Sequence, residues 1–180
     1  MRVSADSPGI RKPQKPRKYG LCRLMKGYDR MIKILFICHG NICRSPAAEM
    51  VMKQLVQGSE GMYVIDSAAT TNEEIGNEIY PPMRRTLMNH GIQLVPHRAR
   101  KTTRKDYAFY DYIVGMDEEN MGDLRYIYGG DPDGKLSMLM AWAGLNAEVS
   151  DPWYTRDFDR ALEDIETGCR AMLKALQNKA

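Results

Sequence analysis

The fold is most constrained by a short apolar run that ends at a cysteine. A loop and the start of a helix follow this run directly. Ile32–Cys38 is rich in β-branched and apolar residues, with Lys33 as its one charged member. Its length suits a buried strand better than a core helix. Pro46 suits the first turn of a helix, because a proline there loses no hydrogen bond, and the apolar residues after it have helical spacing. The sequence therefore predicts a strand, a tight loop over residues 38–45 and a helix.

The residue types in this loop favour the binding of an anion. Gly40 lets the backbone approach a ligand closely, and Asn41 is among the few non-glycine residues that tolerate a positive φ. A loop that enters a helix N-terminus gathers backbone N–H groups, which bind anions readily. The same field favours the thiolate form of Cys38, while the guanidinium of Arg44 matches two phosphoryl oxygens. Such a sulfur can remove a phosphoryl group through a cysteinyl-phosphate.

Length, charge and cysteine content restrict the class of protein. A chain of 180 residues suits one domain with a full core. Residues 1–30 hold nine Lys and Arg against two Asp, so the remaining 150 residues carry a net charge of −4 although the whole chain carries +3. This acidic remainder does not favour nucleic-acid binding. Four cysteines without a regular framework indicate a reducing compartment, and no run approaches the ~20 apolar residues that span a bilayer. We expect a cytoplasmic protein.

Residues 1–30 form a basic leader with three prolines and little apolar periodicity, and we expect it to be disordered. One hypothesis makes it a polybasic arm for nucleic acid or acidic lipid. The favoured hypothesis is that Met31 is the native start, because it begins the predicted domain directly and Lys26-Gly27 can be encoded by a ribosome-binding-like hexamer. The intact mass of the endogenous protein separates the two.

Beyond the first helix, strand and helix patterns alternate. Strand patterns lie at 62–66, 112–116 and 135–140, and helix patterns at 81–91, 118–126 and 157–177. The last pattern predicts a buried face made of Ala161, Ile165, Cys169, Met172 and Leu176. Alternation of this kind implies parallel pairing with helices on both faces. We therefore predict one three-layer α/β domain over residues 31–180 with a four-stranded parallel sheet, whose ligands bind at the carboxyl ends of the strands.

The loop at 38–45 resembles the signature loop of the low-molecular-weight protein-tyrosine-phosphatase family. The resemblance continues through residues 66–70, 97–100, 111–117 and 151–154, in the order and spacing of the family. It covers nearly everything from Met31 to the last helix. It implies the flavodoxin-like fold of these phosphatases, hydrolysis of phosphotyrosine in phosphorylated proteins, and no metal or cofactor.

The resemblance also assigns chemistry to individual residues. It implies that Cys38 is the nucleophile, that Arg44 binds the phosphoryl group and that Asp151 is first the general acid and then the general base. From the residues alone, Asp131 in a second Asp-Pro pair is an equal candidate for the acid, and the Trp-Tyr continuation after Asp151 decides between them. The rest of the phosphate-binding loop consists of His39, Gly40, Asn41, Ile42, Cys43 and Ser45.

Further residues are expected to support or surround this loop. The family pattern suggests that Ser67 and His97 hold Asn41 in a left-handed conformation. For Asp117, the sequence leaves open whether the residue supports the loop. Trp153 and Tyr154 are expected to wall the cleft and stack on an aromatic ring. Cys43 either forms a reversible disulfide with Cys38, as in relatives, or simply packs.

Two rim residues depart from familiar members of the family. His39 stands where an aliphatic residue is common, and Glu73 stands where many relatives place an aromatic residue. An acid at this position should disfavour acidic peptide flanks.

Other functions remain open at this point. Arsenate reductases share the loop but use a further pair of cysteines, whereas only Cys169 follows the loop here. Protein-arginine phosphatases of the same family carry threonine in place of Ile42. A catalytically silent phosphate-binding module is a third alternative, and a zinc site made of Cys38, His39 and Cys43 is a fourth that lacks a second pair of ligands. The oligomeric state is not predicted.

Overall fold

A parallel sheet organises residues 31–178, which are the residues that the computed structural model describes. In this part of the chain the strands are β1 (Ile32–Cys38), β2 (Tyr63–Ala69), β3 (Tyr112–Gly115) and β4 (Leu136–Met138), in the order β2-β1-β3-β4. Each neighbouring pair is parallel. The predicted α/β class with a four-stranded parallel sheet is confirmed.

Helices cover both faces of this sheet. Within the described residues they are α1 (Arg44–Leu55), α2 (Pro81–Asn89), α3 (Arg104–Phe109), α4 (Glu118–Tyr128), α5 (Pro152–Thr155) and α6 (Phe158–Gln177). The larger core lies between the sheet and α1, α2 and α6, whereas the smaller core includes residues of α4 and the end of α3. None of these helices is long and apolar enough to cross a membrane.

Strand β1 supplies both cores because its side chains alternate between the two faces. Ile34 and Phe36 join the larger core, and Leu35 and Ile37 join the smaller one. All four are fully buried. A strand that is covered on both faces reads as a continuous apolar run, which is the pattern that predicts β1 from the sequence.

The end of β1 is also the topological switch point of the sheet. The chain leaves β1 to form β2 on one side of it and then crosses to form β3 on the other side. In open parallel sheets this arrangement opens a crevice at the carboxyl ends of the strands, where ligands bind. Cys38 is the last residue of β1 and therefore lies in this crevice.

Several element boundaries differ from the sequence-based predictions. Strand β2 runs to Ala69 rather than to Asp66, because its partner β1 continues as far as Cys38 and offers backbone groups to pair. Strand β4 is shorter than the 135–140 pattern. Helix α3 is not predicted by apolar periodicity, and it begins at a capping box made by Thr103 and Asp106. The predicted leader, with Cys22, lies outside the described residues.

Helix α6 packs closely against the segment that follows β4. Its predicted apolar face is confirmed, since all five of its predicted residues are buried. Gly168 on this face has no room for a side chain: an added Cβ would lie 2.5 Å from Cγ of Leu139 and 3.1 Å from its carbonyl oxygen. By contrast, a Cβ added at Gly122 on the surface of α4 would meet nothing within 4 Å.

Replacement of these two helical glycines by alanine should therefore have opposite effects. We expect Gly168→Ala to lower the free energy of unfolding by about 1–3 kcal/mol, because overpacking at Leu139 outweighs the gain in helix propensity. We expect Gly122→Ala to raise it by up to about 1 kcal/mol. Urea denaturation of both variants measures the difference, and a Gly168→Ala protein as stable as the parent would contradict the packing argument.

Candidate active site

The loop at 38–45 joins the carboxyl end of β1 to the first turn of α1. Cys38 ends the strand and Arg44 begins the helix. Backbone bonds to the segment after β2 fix the start of the loop, since the N–H of Thr70 donates to Cys38 O at 3.0 Å and that of Thr71 to His39 O at 3.2 Å. The loop is therefore held at both ends by regular structure.

The sulfur of Cys38 lies among hydrogen-bond donors at the base of the loop. The backbone N–H of Asn41 donates to Sγ at 3.3 Å, and Oγ of Ser45 lies 3.0 Å from Sγ. Ser45 Oγ in turn accepts a bond from Asn41 Nδ2 at 2.9 Å. Its own hydrogen has two acceptors within reach, the sulfur at 3.0 Å and the carbonyl oxygen of Ala68 at 3.4 Å, and the sulfur is the nearer. Cys38 is only 3% exposed. The sulfur is thus contacted by a backbone donor and a hydroxyl group at the bottom of the loop.

Arg44 is a buried guanidinium that joins two carboxylates. Its Nη1 lies 2.6 Å from Oδ2 of Asp117, and its Nη2 lies 2.8 Å from Oδ2 of Asp151. Burial alone would lower the pKa of Arg44, but the negative charges of Cys38, Asp151 and Asp117 raise it overall. Asp117 therefore contacts the loop at 38–45 through Arg44.

Asp151 reaches Arg44 from a short helix that periodicity does not predict. Asp151 is the N-cap of α5 and accepts a bond from the N–H of Trp153 through Oδ1 at 2.9 Å. The sequence patterns predict no helix over this segment, but the structure has a single helical turn there, which Pro152 supports at its first position. Asp131 accepts bonds from Lys135 N and Leu136 N instead, at the start of β4 and so at the opposite edge of the sheet.

Asn41 has the left-handed conformation that the loop requires, with φ of 56°. Its Nδ2 donates to Ser67 Oγ at 2.9 Å as well as to Ser45. Its Oδ1 accepts the N–H of Arg100 at 3.1 Å, and its carbonyl oxygen accepts a bond from His97 Nε2 at 2.7 Å. The structure thus brings Ser67 and His97 to Asn41, and it adds Arg100.

Arg100 is itself anchored to Asp66 in the middle of β2. Asp66 Oδ2 accepts bonds from Arg100 Nη2 at 2.7 Å and Nε at 3.2 Å. Burial alone would raise the pKa of Asp66, but these bonds and the charge of Arg100 hold it below its usual value. The ion pair fixes the segment that supplies Asn41 with its backbone donor.

Glu49 is a buried member of this network that the sequence analysis missed. Its side chain contacts Lys53, and Oε2 accepts a bond from Ser67 Oγ at 2.5 Å. His97 Nδ1 lies 4.0 Å from the same oxygen. A glutamate inside the run of small and apolar residues at the start of α1 is the signal that could have drawn attention to it.

Cys43 lies beside Cys38 without sharing its hydrogen-bond donors. Burial, and then the charge of Cys38, raises the pKa of the Cys43 thiol although Arg44 acts in the opposite direction. Cys43 is consequently a poor nucleophile. Both cysteines are free thiols, and their reversible disulfide stays a prediction.

A cleft of about 220 Å³ opens above Cys38. One wall is aromatic and includes Trp153 and Tyr154, which sequence analysis places there, together with Tyr80 and Phe158, which it missed. The Tyr80 ring centroid is 6.3 Å from that of Trp153 and 5.9 Å from that of Phe158. Tyr80 lies far along the chain from the other three rings, so sequence spacing alone does not group all four.

Apart from Ile42, the remainder of the lining is mostly polar or acidic. It includes His39, Gly40, Ile42 and the glutamates Glu73, Glu74 and Glu119. Among residues 31–178 no group of three or more His, Cys, Asp or Glu side chains is arranged to hold a metal ion.

Comparison with known proteins gives consistent matches over nearly the whole described region. Residues 33–180 match a family model described as low molecular weight phosphotyrosine protein phosphatase. Low molecular weight protein-tyrosine-phosphatase YfkJ from Bacillus subtilis is 36% identical over 153 residues, which cover 83% of this chain and 98% of YfkJ. The crystal structure of YfkJ has a TM-score of 0.81 and covers 85% of this chain and 99% of that one. The structure of DARP, a Drosophila arginine phosphatase, has a TM-score of 0.74 at 27% identity, with coverage of 81% and 98%.

Two substitutions of Asn41 should separate its backbone role from its side-chain role. Asn41→Ala loses the side-chain hydrogen bonds and places an ordinary residue at positive φ, a strain of about 1–2 kcal/mol. Asn41→Gly loses the same bonds without that strain. We expect Asn41→Ala to be the less stable of the two by about 1 kcal/mol in urea denaturation, and both to bind inorganic phosphate more weakly than the parent. Equal phosphate affinity in parent and variants would contradict the role assigned to this residue.

Proposed function

The chain belongs to the low molecular weight phosphotyrosine protein phosphatase family, and we propose that it hydrolyses phosphotyrosine in proteins through a cysteinyl-phosphate. One observation carries this proposal: the sulfur of Cys38 lies at the floor of a cleft, surrounded by donors, beside a guanidinium and a carboxylate that contact each other. That arrangement supplies a nucleophile, a binding group for phosphoryl oxygens and a proton donor within one site.

Binding begins with exchange of partners at Arg44. The phosphoryl group competes with Asp151 for Nη2 of Arg44, whereas Asp117 keeps its contact with Nη1. The loop N–H groups and the start of α1 receive the other oxygens. The negative charge of the bound group then favours the protonated carboxyl of Asp151, which is the form that a general acid requires.

In the first step the Cys38 thiolate attacks phosphorus opposite the tyrosine oxygen. The phosphorus–sulfur bond forms as the phosphorus–oxygen bond to the phenol breaks, and Asp151 gives its proton to the departing oxygen. Arg44 and the loop amides stabilise the charge on the transferring group throughout.

In the second step water replaces the sulfur. The carboxylate of Asp151 accepts a proton from water, whose oxygen bonds to phosphorus while the phosphorus–sulfur bond breaks. The thiolate of Cys38 returns to the hydrogen bonds of Asn41 and Ser45, which makes it a better leaving group. Inorganic phosphate is released.

The depth of the cleft favours an aryl phosphate. Cys38 is almost completely buried, so a phosphoryl group must be carried to it on a long side chain. A phenyl ring has this length and can pack between the aromatic wall and the rest of the lining. Phosphoserine is shorter and offers no ring. Four cysteines without a regular framework support a reducing compartment, and we place the activity in the cytoplasm.

Phosphoarginine is a second candidate substrate, because DARP has a similar structure. Ile42 counts against it, since the arginine phosphatases of this family carry threonine at the corresponding position and Ile42 lines the cleft here. Arsenate reduction has less support, because Cys169 is fully buried in α6 and burial raises the pKa of its thiol.

A panel of matched peptides tests the choice of substrate. We expect the protein to release phosphate from a phosphotyrosine peptide faster than from the same peptide with phosphoarginine or phosphoserine, and not to reduce arsenate in the presence of a thiol. Cys38→Ser should bind phosphate but release none from any peptide, because a serine hydroxyl is not ionised at neutral pH. Faster release from phosphoarginine would replace this proposal with the second candidate.

Substitution of Asp151 tests its assignment as the proton donor. Asp151→Asn should slow hydrolysis of phosphotyrosine by about 10²–10⁴-fold. The loss should be smaller with p-nitrophenyl phosphate, because its phenolate is stable enough to depart with less protonation. Asp131→Asn is the matched control and should keep parental kcat in steady-state assays. A loss below threefold for Asp151→Asn on phosphotyrosine would remove Asp151 from this role.

A further inference from the structure

The mouth of the cleft carries an excess of negative charge. Among residues 31–178, its lining contains three glutamates, one histidine, one arginine and no lysine. The arginine is Arg44, whose charge is already shared between Asp117 and Asp151 at the floor. Within the part of the chain that the structure describes, no further Lys or Arg lines the cleft to neutralise the glutamates.

Glu73 and Glu119 are held near each other by His39. Nε2 of His39 lies 3.2 Å from Oε2 of Glu73, and Nδ1 lies 3.9 Å from Oε1 of Glu119. The three residues come from the loop at 38–45, the segment after β2 and the first turn of α4. One imidazole can offset at most one of the two charges. Both carboxylates remain accessible, since the side chains are 69% and 71% exposed.

Glu74 has a different, structural position. Its Oε2 accepts a bond from Asn77 Nδ2 at 2.6 Å. Its side chain also packs on the loop, where a Cβ added at Gly40 would lie 3.0 Å from Glu74 Cγ. We therefore assign the outward-facing charge of the rim to Glu73 and Glu119.

The two sides of the mouth differ in character. The aromatic wall of Tyr80, Trp153, Tyr154 and Phe158 receives the ring of the substrate, and the acidic side is left for neighbouring residues of the peptide. Each extended residue advances about 3.3–3.6 Å, and charges interact over about 10 Å at 0.1 M salt. Residues within two positions of the phosphotyrosine therefore lie within range of the rim carboxylates.

We propose that Glu73 and Glu119 are specificity-determining residues that select phosphotyrosine with Lys or Arg within two positions of it. The inference rests on the proposed phosphotyrosine phosphatase activity and names the class of substrate for the same cleft. Basic flanks gain attraction to the two carboxylates, while acidic flanks add repulsion to a mouth that is already negative.

Three phosphotyrosine peptides that differ only in flanking residues test the proposal. One carries Lys on both sides, one carries Glu and one carries Ala. At low salt we expect kcat/KM to be at least about tenfold higher for the Lys peptide than for the Glu peptide, mainly through KM, and the ratio to shrink in 0.5 M NaCl because exposed charges are screened.

A pair of double variants with equal charge change assigns the effect to the rim. Glu73→Gln with Glu119→Gln should reduce the Lys-to-Glu ratio by at least about threefold. Glu60→Gln with Asp133→Asn removes two exposed carboxylates that precede β2 and β4, at the amino ends of the strands and so away from the cleft, and should keep the parental ratio. Each ratio is taken within one variant, so differences in folding or overall turnover cancel.

The possible outcomes separate this inference from the function on which it rests. If the parent hydrolyses the Ala peptide but shows no preference between Lys and Glu flanks, or if both double variants change the ratio equally, the rim assignment is wrong. If the parent does not hydrolyse even the Ala peptide, the proposed phosphatase activity itself fails.

Discussion

The site depends on the hydrogen bonds of one side chain, that of Asn41. Its amide binds Ser45 at the end of the loop at 38–45, and it connects this loop to Ser67 and to the backbone of Arg100. These partners come from the start of α1, the end of β2 and the segment before α3. A left-handed residue costs free energy unless its surroundings hold it in place. Here four separate bonds do so, and the same conformation points the N–H of Asn41 at the sulfur of Cys38.

The charges of the site are arranged around a buried arginine. A guanidinium that is removed from water needs partners, and Arg44 has Asp117 on one nitrogen and Asp151 on the other. Under the proposed mechanism, the contact with Asp117 persists and the contact with Asp151 is exchanged for the substrate. Asp117 keeps the guanidinium oriented, whereas Asp151 belongs to a one-turn helix and exchanges the arginine for the substrate. Before binding, the Arg44–Asp151 ion pair thus offsets the charge of the guanidinium. When the substrate replaces Asp151 at Arg44, this carboxyl group is free to act as the proton donor.

The local pattern of the sequence is enough to predict β1, the loop and the position of the proposed nucleophile. A strand that is buried on both faces gives a continuous apolar signal, and Pro46 marks the helix that follows. The end of β2 is not predictable in this way, because Ser67, Ala68 and Ala69 have little β propensity and become a strand through pairing with β1. The capping box of α3 is visible in the sequence, but it carries no apolar periodicity.

The side chains that surround the site were harder to predict than those within the loop. Tyr80 and Phe158 reach the cleft only because α2 and α6 pack beside the loop, and Glu49 matters only because Ser67 lies against it. These relations are set by tertiary packing between distant segments. Spacing along the chain therefore identifies the loop but does not assemble the wall or the support beneath it.

The floor and the rim of the cleft act on a substrate in opposite directions. Arg44 and the loop amides attract the phosphoryl group, but every phosphorylated peptide must first pass the carboxylates of Glu73 and Glu119. This repulsion is common to all such substrates, so it cannot by itself discriminate among them. Discrimination arises because a Lys or Arg next to the phosphotyrosine offsets the repulsion and an acidic neighbour increases it. A negatively charged rim therefore makes the choice among phosphotyrosine peptides depend on the charge of their flanking residues. A neutral rim would not have this effect.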